Sequence, residues 1–185
     1  MGRIAVVDYD SGWSGEFEQL RSRIWPTVRD LATAIEHVGS TSVPGLAAKP
    51  IIDISIVARS EADIPAGIQR LATIGYVHRG DLGVEGREAF GAPVSQPRHH
   101  LYLCPANSQA LANHLAVRNY LRANPTAVQE YGVLKKQLGL RFVDDIEGYT
   151  AAKTDILLRI LRKAGLQSDE LKNIERINRR ALSNW

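Results

Sequence analysis

The run Ile51-Ile-Asp-Ile-Ser-Ile-Val57 limits this chain more than any other feature. Five of its seven residues are β-branched, which suits a pleated, half-buried strand far better than a helix. A period of two puts Ile52, Ile54 and Ile56 on one face and Ile51, Asp53, Ser55 and Val57 on the other. The all-isoleucine face predicts core. The opposite face sets a carboxylate beside a hydroxyl. An unpaired carboxylate is costly to bury, so Asp53 has to be wetted, hydrogen-bonded or bound to a cation. Backbone N–H groups of the 39–48 loop are one set of partners, and a divalent metal is another.

The rest of the chain predicts helices around a few strands. Residues 3–8 read as a short strand or arm. Phe17, Leu20, Ile24, Val28 and Leu31 make a helical stripe over 14–31, with Pro26 placed to kink or split it. Further strands are expected at 35–38, 76–78 and 99–104, with loop at 39–50 and a Gly-rich, hairpin-like segment over 79–97. Helices are expected at 64–74, ended by Gly75, and at 108–122, 125–138 and 149–164. This order is α+β rather than alternating βαβ. Beyond 165, Leu171, Ile174, Ile177, Ala181 and Trp185, with Leu182 at the edge, form an apolar stripe on a charged helix. That stripe is expected to dock on the parent domain or on a second copy of the chain.

Bulk properties exclude several classes. The 185 residues, 44% apolar, suffice for one ordinary domain. Twenty-three basic residues face 20 acidic ones, for a net charge of +3, which makes nucleic acid an unlikely partner, RNA at the basic C-terminal region being the remaining reading. Cys104 stands alone, so neither a disulfide framework nor a paired-cysteine metal site is expected. The opening MGRIAVVDYDSGW lacks a signal-peptide pattern, Val6 stands where myristoylation wants Ser or Thr, and no apolar run approaches membrane-spanning length. A soluble, cytoplasmic protein without a membrane partner is expected.

Upstream of the strand, GSTSVPGLAAK imitates a P-loop without being one. Five residues, not four, separate Gly39 from Gly45, and Lys49-Pro50 is no helix start. The turn has a different use. Gly39 carries no Cβ, so backbone N–H groups and the Ser40 hydroxyl can approach a phosphate. An acid for a divalent metal opposite such a cradle is what metal-assisted nucleotidyl transfer requires.

The stretch HVGSTSVPGLAAKPIIDI closely resembles the signature of the GrpB family, whose proteins are similar to the nucleotidyltransferase superfamily of DNA polymerase beta. The likeness continues through GYVHRGDLGVEGREAF, RHHLYLCP, LAVRNYLRANP, EYGVLKKQL and YTAAKTDIL, up to about residue 165. It implies a nucleotidyltransferase-like domain over 1–165, a short mixed sheet flanked by helices, followed by an amphipathic helical tail over 166–185. It also implies transfer of a nucleotidyl group from an NTP to a small acceptor, with Mg²⁺. Gly39 and Ser40 would hold phosphates, Asp53 and Ser55 would occupy the metal positions, and Asp53 with His100 would be catalytic. Lys49, Arg87, Arg118, Lys135 and Lys153 fall in matched motifs as phosphate contacts.

One departure matters. Active nucleotidyltransferases have a second acid where this chain has Ser55, so a two-ion site is in doubt, and Asp81 or Glu85 is a candidate replacement. The alternative is a nucleotide- or CoA-binding module with a degenerate metal site; some family members are fused to dephospho-CoA kinase. His99 and His100 are adjacent on a strand and so point to opposite faces, with His100 the site candidate. His114 and Arg118, four apart on one helix, suggest anion binding. Trp13 and Trp25 read as packing residues.

Overall fold

In the computed structural model, which describes residues 3–180, the isoleucine run forms the strand it predicts. That strand, β2 (Ile52–Ala58), pairs antiparallel with β1 (Ala32–Val38) and parallel with β5 (His99–Pro105). β4 (Glu88–Gly91) joins β5 antiparallel, and β3 (Val77–His78) joins β4. The order β1-β2-β5-β4-β3 makes a mixed five-stranded sheet, and the fold is α+β as expected. Ile52, Ile54 and Ile56 are all fully buried, so the period-two reading of the core face holds.

Two compact units divide the chain. The sheet unit comprises Asp10–Ser42 and Ile51–Leu115, with α1 (Gly12–Val28), α2 (Ile64–Thr73) and the start of α3 (Gln109–Ala123). α1 buries the predicted stripe of Phe17, Leu20, Ile24 and Val28, together with Trp13. It remains one helix through Pro26 rather than splitting there, and ends at Val28, leaving Leu31 in a turn. Pro26 sits in the last turn and brings no N–H to the ladder, which resumes after it with Arg29 N–H reaching Trp25 O at 2.9 Å.

The helical unit takes the residues up to Tyr9, Val43–Pro50 and the chain from Ala116 on. It holds the end of α3, α4 (Pro125–Arg141), α5 (Ile146–Ala152), α6 (Thr154–Lys163) and α7 (Ser168–Arg180). Val43, Leu46, Leu121, Val128, Tyr131, Ile156 and Ile160 form its main core. The single helix expected over 149–164 is two, because Lys153 N–H turns back to Thr150 O three residues earlier, at 3.3 Å. Asp145 starts the first of them by accepting Gly148 N–H at 2.8 Å.

α7 docks on its own unit. Leu171 packs with Leu158 and Leu161, and Ile174 packs against the same cluster. Ala181, Leu182 and Trp185, the rest of the expected stripe, lie outside the described residues. Among the described residues, no helix is long and apolar enough to cross a membrane.

Candidate functional site

Strand register assembles the polar face of the sheet. The parallel pairing sets Asp53 beside His100 and Ser55 beside Tyr102, while the antiparallel pairing sets Glu36 beside Ser55. All five residues share one face. Their sequence neighbours Ile52, Ile54 and Leu101 point into the core.

The Gly-Ser turn lies against Asp53. Gly39 adopts φ +67°, and a Cβ there would stand 2.1 Å from Asp53 Oδ2 and 2.8 Å from Asp53 Cβ. Only glycine satisfies both the backbone and the close approach. Hydroxyls pin the turn from beneath. Ser42 Oγ donates to Gly39 O at 2.6 Å, and Thr41 Oγ1 donates to Ile51 O at 3.3 Å. Since the Thr41 proton is committed to Ile51, Thr41 Oγ1 accepts from His37 Nε2–H at 3.0 Å. The His37 ring in turn stacks on Phe17 with centroids 4.6 Å apart. Ser40, half-buried, opens the short 3₁₀ turn that follows Gly39.

Asp53 is neither sealed nor free. Its side chain is 27% exposed, and Oδ1 accepts His100 Nδ1–H at 2.8 Å. His100 is 50% exposed, and in the neutral ring with the proton on Nδ1, Nε2 is the acceptor nitrogen. The tandem histidines separate as the strand period requires. His99 lies in the core, where Nδ1–H donates to Pro97 O at 2.7 Å and Nε2 meets Tyr76 Oη at 2.7 Å.

Ser55 is not the open hydroxyl expected of a ligand. It is 0% exposed, and its Oγ lies 3.0 Å from His114 Nδ1. Burial pushes His114 down to about 4, with Arg87 lowering it further and Asp53 opposing. The Tyr102 ring stands 5.4 Å from His114, and burial followed by the charge of Asp53 pushes its hydroxyl up to about 12. Arg87 lies 4.6 Å over the Tyr102 ring and donates through Nη2 to Asp81 O at 3.3 Å. Its Nε is buried and has no hydrogen-bond partner among the described residues. Asp81 caps its own loop, accepting Gly83 N–H at 2.8 Å, and Glu85 is exposed.

These donors do not fit a resident two-ion centre. β2 offers one carboxylate with one oxygen engaged by His100, and the adjacent hydroxyl is buried on His114. Among the described residues, no three His, Cys, Asp or Glu side chains are grouped to hold a metal.

The remaining candidates belong to the helical unit. Lys49 and Lys153 lie over the Tyr149 ring, Lys135 lies over Tyr131, and Arg118 Nε donates to Asn119 Oδ1 at 3.0 Å. The structure thus gathers Gly39, Ser40, Asp53, Ser55, Arg87 and His100 in one unit and the lysines with Arg118 in the other. Sequence reasoning missed Glu36 and the lysine-facing rings of Tyr131 and Tyr149. Glu36 was within reach, because it stands three residues before Gly39 on a predicted β-rich segment, but its alignment with Ser55 depends on register.

A mixed sheet with this strand order, a glycine turn and an acid on the inner strand β2 defines a nucleotidyltransferase-like fold. The structure of Cid1 in complex with its short product ApU superposes with a TM-score of 0.50 over 70% of this chain and 42% of that one, at 10% identity, a likeness of fold alone. Residues 3–163 match the family model described as GrpB protein, and the chain belongs to the GrpB family. Among solved relatives, the conserved protein GrpB from Enterococcus faecalis superposes with a TM-score of 0.78 at 34% identity, covering 86% of this chain and 96% of that one. UPF0157 protein YqkA of Bacillus subtilis (strain 168) is 34% identical over 83% of this chain, which spans 45% of YqkA's length.

Proposed function

We propose that the sheet unit binds a nucleotide at the Gly39–Asp53–His100 group and transfers its nucleotidyl group to a small acceptor. The observation that carries this reading is the Asp53 carboxylate, held between a turn that has no room for a Cβ and the Nδ1–H of His100. With that proton committed to Asp53, His100 Nε2 takes the proton of an acceptor hydroxyl while its oxygen attacks the α-phosphorus. The bond to the bridging oxygen breaks and pyrophosphate leaves. A base positioned in this way contributes about 10²- to 10⁴-fold in rate. Gly39 and Ser40 receive phosphate oxygens, and Arg87, fixed on Tyr102, presents a planar fork of donors to them. Mg²⁺ enters with the nucleotide as part of the substrate. A cytoplasmic setting, where nucleotides and CoA abound, belongs to the same proposal.

One observation favours a second reading, a nucleotide- or CoA-binding module without turnover. Ser55 stands where a second acid would be, and its hydroxyl is occupied by His114.

Thermal unfolding with NTPs and with CoA, each with and without Mg²⁺, separates the two. A ligand at 100 times its Kd should stabilise the folded chain by about 2.7 kcal/mol. Under the first reading, nucleotide stabilisation grows with Mg²⁺ and Asp53→Ala abolishes that increment. His100→Gln keeps nucleotide binding and loses pyrophosphate release. Stabilisation that ignores both Mg²⁺ and Asp53→Ala establishes the second reading. If no nucleotide or CoA moves the transition, both are wrong.

A further inference from the structure

The polar face of the sheet continues past His100 onto β4. Ala89 pairs with Tyr102 and lies on that face, so Gly91, two residues further on, presents its missing Cβ to the same side. The register of Phe90 with Leu101, carried one residue along, sets Gly91 beside His100. The place that a side chain would take is filled from the next strand. A Cβ on Gly91 would stand 3.2 Å from Arg79 Nε and 3.3 Å from Arg79 Nη2, so the guanidinium lies across bare backbone in the row of His100.

Arg79 follows β3 directly, and its backbone N–H bonds to Ala89 O at 2.8 Å, which fixes the root of the side chain. The residue is exposed. Among the described residues its guanidinium makes no hydrogen bond and no ion pair, unlike Arg21, Arg70 and Arg159, each of which meets a carboxylate. A solvated arginine extends into water, where its long chain keeps its rotamer freedom; this one gives up that freedom to lie on Gly91. Its fork of N–H donors therefore stands ready beside the acceptor nitrogen of His100. Val77, paired with Gly91 and 55% exposed, adds an apolar surface next to the fork.

We infer that the acceptor is a small hydroxy acid, its carboxylate on Arg79 over Gly91, its carbon chain against Val77 and its hydroxyl at His100 Nε2. The inference rests on the nucleotidyl transfer proposed above and adds the class of substrate that receives the group. A planar guanidinium and a carboxylate match as a bidentate pair. One cation balances one carboxylate, and Arg87, held by Tyr102 and Asp81 O, is left for the nucleotide. His100 stands between Asp53 on β2 and Gly91 on β4. The nucleotide thus reaches it from the Gly39 side and the acceptor from the Arg79 side, opposed as an in-line displacement requires. The acceptor oxygen bonds to the α-phosphorus, its proton passes to His100 Nε2 and pyrophosphate leaves. The product is a nucleotidyl ester of the hydroxy acid.

Two measurements on the full chain test the inference: calorimetric titration with ATP, D-gluconate and D-glycerate, and pyrophosphate release from ATP and Mg²⁺ in the presence of each acid. Glucose and glycerol, which keep hydroxyls and lack the carboxylate, are the controls. The acids should bind, and should stimulate release about tenfold more than the neutral polyols. Arg79→Gln should weaken the acids about tenfold, the loss expected for one charge-assisted pair, and raise their KM by the same factor while the KM for ATP stays unchanged. Arg79→Lys keeps the charge without the fork and should fall between. Gly91→Ala meets only the far end of a flexible side chain, so the fold survives; it lifts the guanidinium off the sheet and should weaken the acids as Arg79→Gln does. If ATP binds but the acids show no advantage over the polyols, or keep their KM in both Arg79→Gln and Gly91→Ala, the hydroxy-acid inference is overturned and nucleotidyl transfer stands. If ATP does not bind, both fall.

Discussion

Gly39→Ala should destabilise the chain by about 2–4 kcal/mol, combining left-handed backbone strain of about 1–2 kcal/mol with a steric term. The new methyl would lie 2.1 Å from Asp53 Oδ2 and 2.8 Å from Asp53 Cβ. Rotating the carboxylate relieves the first approach and leaves the second, so β2 or the turn has to move. Either shift breaks the bond from His100 Nδ1–H to Asp53 Oδ1. Urea denaturation of Gly39→Ala, Asp53→Gly and the double variant isolates the steric part. In the Asp53→Gly background, Gly39→Ala should show only the backbone strain, giving a coupling energy of about 1–2 kcal/mol between two contacting sites. Additive losses would show that the turn does not press on Asp53.

Acidification should weaken the fold through His114. Its folded value lies near 4, below the 6.5 of an unperturbed imidazole. Above pH 6.5 the side chain is neutral in both folded and unfolded chains, and its full contribution is present. As pH falls from 6.5 towards 4, the unfolded chain takes up the proton first and stability drains away, levelling off below 4. Ser55, the Tyr102 ring, Arg87 and Asp53 surround the imidazole, and Arg87 opposes its charging while Asp53 favours it. The loss attributable to His114 should be about 2 kcal/mol, the full shift discounted for partial solvent access. Burial lowers His99 as well and adds a loss of the same sign. Urea midpoints between pH 7.5 and 4.5 should therefore fall less steeply for His114→Asn, which keeps a polar group near Ser55 without titrating. Identical slopes for the two proteins would place the acid sensitivity elsewhere.

Local patterns were legible where one periodicity decides the outcome. The isoleucine face of β2, the buried stripe of α1 and the opposed tandem histidines all follow from periods of two or 3.6. The end of α1 and the break at Lys153 did not follow. Leu31 continues the apolar spacing past the true helix end, and Lys153 occupies a polar position whether the helix runs through or turns there. Asp53, His100, Gly39 and Arg87 were identified as candidates, but their relations were not. Ser55 suggested an open hydroxyl, because nothing in β2 reveals that His114, 59 residues later, covers it.

From the order of its residues alone, this chain determined which positions form β2 and which of its faces enters the core, since these depend on β-branching and side-chain period. Tertiary structure alone decided that Asp53 meets His100, that Ser55 meets His114 and Glu36, and that Lys49 and Lys153 share Tyr149. Each of those pairings joins segments distant in sequence, and strand register or helix packing, which sum many weak contacts across the whole molecule, sets the few ångströms on which a site depends.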